Sequence, residues 1–527
     1  MRMIGSLPSL RFSRSPALSL FGLLLVLWLG YQAAQMVLAG ELNTLILIGM
    51  LFIGGALVVA ILNDWKRGLY LFLAWVLFED LVRKYLGNNM AIFFAKDILV
   101  VIIYISFFIS RRANRVRYFR PPFLIPLLIL IWFGLIQVFN PGSESIFYGL
   151  LGMKIYFLYV PLIYVGYAFI ETDEDLRKLL TFNTILVICV AGLGIAQSII
   201  GPTFLNPNNL QEDIRDLATL YRAAPISGEL AYRPTSVFVS TGRFSNFVIV
   251  SWVLVLGFGG YLLLRSRRSR LIAFIAVGVM GVASIMSTSR SVLLWTASSA
   301  LIVLAALLWG APWRQGEARR AFRAIYRIML VAGLAIMMMI TVFPEQMGSR
   351  FAIYSETLSP DSPASELVYR ARDYPFKNFL LAFEFDRWVT GYGMGTSSLG
   401  TQYVARIFHA PPMGIMVENG YGQIILELGI FGLLLWLVLT GAIILSAWKI
   451  VKSLRGTPWF PIAFSIFWYS FLLLIPMSYI GFIAYQDYVM NAYLWLMLGV
   501  LFRLPGIARE STLAKLADTT SAASGQA

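Results

Sequence analysis

Runs of about twenty apolar residues, the length that crosses about 30 Å of hydrocarbon, recur along the whole chain between shorter polar breaks. Fourteen such runs lie near residues 17–38, 43–62, 68–82, 91–110, 121–139, 150–170, 179–200, 242–264, 271–286, 291–310, 328–343, 423–447, 458–480 and 488–502. They predict an all-α polytopic membrane protein, because a backbone in lipid must satisfy its hydrogen bonds within the segment. The first run follows Arg2, Arg11 and Arg14 but is too long for a signal-peptide core and precedes no small-residue cleavage pattern, so it reads as a retained anchor.

Two polar segments are long, 201–241 and 344–422, and the remaining breaks are short turns. The expected organisation is therefore eleven helices and the first long loop within 1–343, a large loop over 344–422, three helices over 423–502 and a polar tail over 503–527. Long, non-repetitive loops on one face of a tightly connected bundle are where binding and chemistry concentrate.

Composition narrows the function classes. Across 527 residues, 59% are hydrophobic, 13% are charged, and mean hydropathy is +0.75, which excludes a soluble enzyme, a disordered chain and a nucleic-acid reader. The net charge of +15 is an orientation signal. With the amino terminus inside, basic residues collect in the inner breaks: Lys66–Arg67, RRANRVRYFR, Arg177–Lys178, RSRRSR, Arg314–Arg327, Lys449–Arg455 and Arg503 onward. Both termini are then cytoplasmic and both long loops lie outside. The only cysteine, Cys189, and the only histidine, His409, rule out an intramolecular disulfide and zinc sites built from several His and Cys ligands. A carboxylate site for magnesium or calcium stays open on composition alone.

Cations on the outer side, or at hydrocarbon depth, need another cause, because insertion of such a charge costs about 2.5–3.5 kcal/mol. Arg83 and Lys84 close the third run in EDLVRKYLGNN, Lys96 and Asp97 lie early in the fourth, Arg243 opens the eighth in STGRFSNF, and Arg290 opens the tenth in STSRSVLLW. Each either snorkels to a headgroup, pairs with a carboxylate, or holds an anion. Arg243 and Arg290, beside small hydroxylated residues, suit bidentate phosphate binding, with Arg233 in support.

A second constellation is MVENGYGQIILELGIFGLLL. Asn419, Gln423 and Glu427 recur every four residues and predict one inward-facing helical stripe, with Tyr421 beside it. Glu418 is either a helix cap or a general base. GYGMGTSS, at 391–398, follows no predicted strand and is expected to face outward rather than form a dinucleotide loop. His409 is either a base or a surface-loop residue.

These stretches resemble the bacterial O-antigen ligase and polymerase superfamily, the Wzy-type polysaccharide polymerases and their ligase relatives. RPTSVFVSTGRFSNF is similar to the family's arginine segment leading into a span, STSRSVLLW to its Ser/Thr-Ser-Arg motif, and the large loop followed by ENGYGQIILELGIFG to its signature, which usually begins His-Asn. Fainter similarity lies in VRKYLGNNMAIFFAKD and NPGSESIFYGLLGMKIYFLYVPL, so the resemblance covers roughly 76–165 and 230–440. It implies an inner-membrane glycosyltransferase that moves a glycan from undecaprenyl diphosphate to an acceptor sugar hydroxyl at the periplasmic face, without metal, nucleotide donor or other cofactor. A flippase and a chain-length regulator are the implied neighbours.

On that resemblance Arg243 and Arg290 hold the diphosphate, Arg83 or Lys84 assists, and Glu418 acts as base, with Arg233, Asn419, Tyr421, Gln423 and His409 supporting. Glu418 standing where the ligases carry histidine favours a polymerase of exopolysaccharide, capsule or O-antigen repeat units over a ligase acting on lipid A core. A secondary transporter using Lys96, Asp97 and Arg290, or a non-catalytic scaffold, are the rivals from other classes. The expected centre is one pyrophosphate-sized hollow shared by Arg243 and Arg290, with Glu418 at its mouth.

Overall fold

The computed structural model of the protein describes residues 55–86, 90–116, 118–207, 220–265, 270–312, 340–359, 369–398, 400–411, 414–481 and 486–524, with scattered positions from 326 to 338. The chain forms two compact units, 1–65 and 66–527. In the first, residues 55–63 are helical. The expected runs at 17–38, most of 43–62 and much of 328–343 lie outside the described residues.

Helix dominates the second unit. In chain order the helices from Trp65 onward are α1 (Trp65–Tyr85), α2 (Met90–Ala113), α3 (Leu124–Gln137), α4 (Ile146–Phe157), α5 (Leu162–Phe169) and α6 (Asp173–Ile200). A two-stranded antiparallel hairpin follows, β1 (Tyr221–Ala223) and β2 (Leu230–Tyr232). Then come α7 (Thr241–Arg265), α8 (Arg270–Met286), α9 (Arg290–Gly310), α10 (Pro344–Leu358), α11 (Tyr374–Leu381), α12 (Thr401–Phe408), α13 (Gly420–Ser453), α14 (Phe460–Ile480) and α15 (Tyr488–Ser524).

Eight segments among the described residues are long and apolar enough to cross a membrane, and this is a multi-pass membrane protein: α2, the α4–α5 pair, α6, α7, α9, α13, α14 and α15. Helices α3 and α8, of 14 and 17 residues, are apolar but shorter. The third expected run is also a helix, α1, but its Glu79, Asp80, Arg83 and Lys84 keep it from reading as a simple span. All four are buried.

Breaks in the helices have identifiable causes. Pro161, which has no amide hydrogen, separates α4 from α5, and Pro476 sits in a wider turn at Leu473–Met477 within α14. Close crossing of α5 and α15 depends on glycine: a Cβ at Gly166 would lie 2.2 Å from the Leu496 carbonyl oxygen.

The sharpest break is in α13. Gly429 has φ 71°, and the freed backbone groups are taken up by the loop that crosses there. Tyr392 and Gly393 amides donate to the Leu426 and Glu427 carbonyls at 2.7 and 3.1 Å, and the Ile430 amide donates to Trp388 O at 3.0 Å. Irregular backbone at this depth survives because it is buried in protein with its hydrogen bonds made. The expectation that GYGMGTSS faces outward is thereby corrected: positions 391–398 are buried except for Tyr392, which is half-buried. The glycines serve backbone contact, since a Cβ at Gly391 would fall 2.5 Å from Glu427 O and one at Gly395 2.1 Å from Tyr148 O.

Candidate functional site

Charged side chains converge where one end of α1, α2 and α4 meets the first turns of α7 and α15. Asp80 is fully buried and takes Arg243 Nη1 at 2.6 Å and Arg83 Nη2 at 3.1 Å. Arg243 Nε reaches Asp487 Oδ2 at 3.3 Å, Nη1 donates to the Tyr488 hydroxyl at 3.2 Å, and the guanidinium lies 4.5 Å from that ring's centroid.

Lys96 donates to Glu79 Oε1 at 3.1 Å and to the Phe93 carbonyl, and sits 3.5 Å from the Phe93 ring centroid. Lys154 pairs with Asp97 Oδ2 at 2.6 Å, and the Tyr159 hydroxyl donates to Asp97 Oδ1 at 3.0 Å. Four cations, Arg83, Lys96, Lys154 and Arg243, thus face four carboxylates, Glu79, Asp80, Asp97 and Asp487. Pairing of this kind is what allows charge to sit away from water, and removing one partner strands the other.

A cavity of about 80 Å³ opens beside this cluster. Lys96, Lys154 and Arg243 line it together with Tyr488, Gln486 and an apolar wall that includes Phe93, Leu151 and Tyr403; none of the four carboxylates lines it. The acids lie behind the cations and hold them, while the cavity itself presents cationic donors and aromatic faces. Its rim is apolar and open: Phe94, Ile407 and Phe408 are 40%, 42% and 47% exposed. The geometry suits a molecule with an anionic head and a long apolar tail.

Of the residues singled out from sequence, Arg243, Arg83, Lys84 and Lys96 come together, and of these Arg243 and Lys96 line the cavity. Arg83 is held by Asp80 and lies 5.3 Å from the Phe93 ring centroid, and Lys84 donates to Thr235 Oγ1 and Ser236 O, both at 3.0 Å. Both brace the wall from behind. Lys96 and Asp97 are adjacent in sequence yet find partners on different helices, Glu79 and Lys154.

Arg290 is not in the lining of this cavity, whereas Arg243 is. The turn before Arg290 is clamped elsewhere: Thr288, at φ 54°, donates through Oγ1 to Tyr232 O at 2.8 Å. Buried Arg350 of α10 donates to Met286 O and Tyr232 O, at 3.4 and 3.3 Å, and to the Gln346 carbonyl. Burial pushes the guanidinia of Arg350 and Arg233 below their ordinary range and raises the Tyr354 hydroxyl to about 12. Arg233 is half-buried in this second group.

Glu418 is exposed, accepts a hydrogen bond from the Tyr374 hydroxyl, and is likewise outside the cavity lining. The cap of α13 is not Glu418 but Asn419, whose Oδ1 accepts from the Gly422 amide at 2.9 Å. Asn419 Nδ2 donates to Pro375 O and Tyr479 O, Gln423 Nε2 to Val417 O, and the Tyr421 hydroxyl to Leu474 O. These three fasten the end of the large loop to the bundle. The inward stripe is as expected, with Asn419, Gln423 and Glu427 all buried. His409 is exposed, at φ 52°, and ends α12.

Sequence reasoning missed Lys154, Asp80, Asp487 and Tyr488. An intramembrane lysine within GLLGMKIYFLYV was the available signal for Lys154. It also left Glu427 without a role of its own. That carboxylate accepts from Tyr156 OH at 2.9 Å, Ser398 Oγ at 2.6 Å and the Ser397 amide at 3.2 Å, and Gln486 Nε2 donates to Ser398 Oγ at 3.0 Å. It anchors the buried loop beside the cavity. No family model matches the chain, and no curated protein matches it.

Proposed function

We propose that the protein is an inner-membrane glycosyltransferase that lengthens a polysaccharide from repeat units carried on undecaprenyl diphosphate. The observation that carries this reading is the cavity with three cations inward, their carboxylates behind them and an exposed apolar rim. The full span count of fourteen, cytoplasmic termini and a periplasmic cavity belong to the same proposal.

In the reaction, an acceptor sugar oxygen bonds to C1 of the donor glycan as the bond from C1 to the diphosphate oxygen breaks. The electron pair leaves on the diphosphate. Arg243, Lys96 and Lys154 would stabilise that developing charge, a job for fixed donors whose orientation is set before the reaction. Glu418 would take the acceptor proton, a contribution of about 10²–10⁴-fold. The proposal does not draw on Arg290.

The test is gel analysis of lipid-linked and surface glycans in a deletion strain complemented with Lys154→Met. Single repeat units in place of long chains support a polymerase. Long chains left on the lipid carrier would point to a ligase, and unaltered long surface chains would refute the assignment.

A further inference from the structure

A second cavity, larger at about 260 Å³, lies at the other end of α2, α5 and α15. It shares no lining residue with the first. On α2, Phe107 follows Lys96 by eleven residues, about 16 Å along the helix axis. Its charged lining is Arg111, Arg503 and Glu171, with Phe107, Tyr118 and Tyr164 among the aromatic walls.

Glu171, in the lining, and Glu510, beside Arg503, already have cations. Lys66 Nζ holds Glu171 Oε1 at 2.9 Å, and Glu510 Oε1 takes Arg503 Nη2 at 3.0 Å, while Arg503 Nε donates to Ile170 O at 3.0 Å. Arg111 is different. Its guanidinium lies 5.7 Å from the Phe107 ring centroid and makes no ion pair among the described residues. The Tyr164 hydroxyl likewise has no hydrogen-bond partner among them. The end of α2 and the α2–α3 loop, which supply Arg111, Val116, Tyr118 and Phe119 to the lining, also carry Arg112, Arg115 and Arg120. A half-buried arginine and an unused hydroxyl donor, in a roomy pocket under a positive loop, call for an oxygen-rich anion.

We propose that this cavity binds a phosphate-bearing anion, with Arg111 as the holding cation and Tyr164 as a second donor. The aromatic walls favour the phosphodiester headgroup of an anionic phospholipid, drawn from the leaflet that meets the basic loops. This site stands apart from the glycosyl-transfer reading and does not depend on it.

The test uses full-length protein purified in detergent, with retained lipid counted by native mass spectrometry. It is run on the wild type and in a Lys154→Met background, to remove any contribution of the first cavity. The probes are phosphatidylglycerol, phosphatidylcholine and inorganic phosphate. Expected results are retention of phosphatidylglycerol over phosphatidylcholine, a loss of about tenfold with Arg111→Gln, and partial recovery with Arg111→Lys. Thermal protection of lipid-depleted protein by inorganic phosphate, lost with Arg111→Gln, would support the same site with a soluble phosphate compound as its source. Equal retention of the two lipids, or undiminished phosphatidylglycerol binding by Arg111→Gln, overturns the proposal. Because Arg111 is partly exposed and unpaired, the melting temperature of both variants should match the wild type, which separates binding from folding.

Discussion

Arg243 both holds the charge cluster together and lines the cavity, so a single substitution confounds stability with chemistry. A paired substitution separates them. Arg243→Gln leaves Asp487 without its cation and Asp80 with Arg83 alone. Breaking a buried pair costs about 3–5 kcal/mol. The figure here should be nearer about 2–3 kcal/mol, because Arg243 is 20% exposed and Asp487 keeps the Val489 and Met490 amides at 2.9 and 3.3 Å.

Adding Asp487→Asn removes the stranded charge while an asparagine still caps α15. The double variant should therefore recover most of the folded yield, read as the monodisperse fraction after detergent extraction. Chain lengthening should stay depressed by about 10²–10³-fold, the usual cost of losing one fixed donor to a developing oxyanion. If the double variant folds and lengthens chains at the wild-type rate, Arg243 serves only its ion pairs and the catalytic reasoning fails.

Three further outcomes follow from the geometry. Glu427→Ala deprives Tyr156, Ser398 and the Ser397 amide of their acceptor, at about 1–3 kcal/mol per stranded buried donor, so the detergent unfolding midpoint should drop with Glu427→Gln between; an unchanged midpoint would remove its anchoring role. Gly429→Ala should prevent accumulation of folded protein, since its Cβ would lie 2.2 Å from Val389 O at φ 71°; normal yield would refute the crossing of loop and helix.

Glu356 is held below the usual carboxylate range by hydrogen bonds from Ser227, side chain first and then backbone, and from the Ile226 amide. A depressed folded value means that docking of the hairpin turn is fully supported above the ordinary carboxylate pKa and is lost as pH falls through the lowered one. The difference in amide exchange at Ile226 and Ser227 between wild type and Glu356→Gln should thus be large near pH 6 and shrink as pH falls below the ordinary carboxylate pKa of about 4.3; a difference independent of pH would contradict this.

Hydrophobic runs made the helices legible, because lipid admits few other backbones. The eight described spans lie on expected runs, and the stripe at Asn419, Gln423 and Glu427 faces inward as its four-residue period requires. Local pattern could not pair the charges. Lys96 and Asp97 are neighbours in the chain, but successive helical residues diverge by about 100°, and each found its partner on another helix. For the same reason two arginines in similar hydroxyl-rich contexts, Arg243 and Arg290, reached different surroundings: one opens onto the cavity, while the turn before the other is clamped against β2. The buried glycine loop was illegible because its hydrogen bonds depend on a kink thirty to forty residues later in the chain.

The most direct measurement is binding of undecaprenyl diphosphate to purified wild-type protein and to the Arg243→Gln/Asp487→Asn variant, each verified as folded. A lipid diphosphate seated against Lys96, Lys154 and Arg243 requires saturable binding by the wild type and a loss of at least about tenfold in the variant. Equal affinity for both proteins, or none for the wild type, would contradict the account.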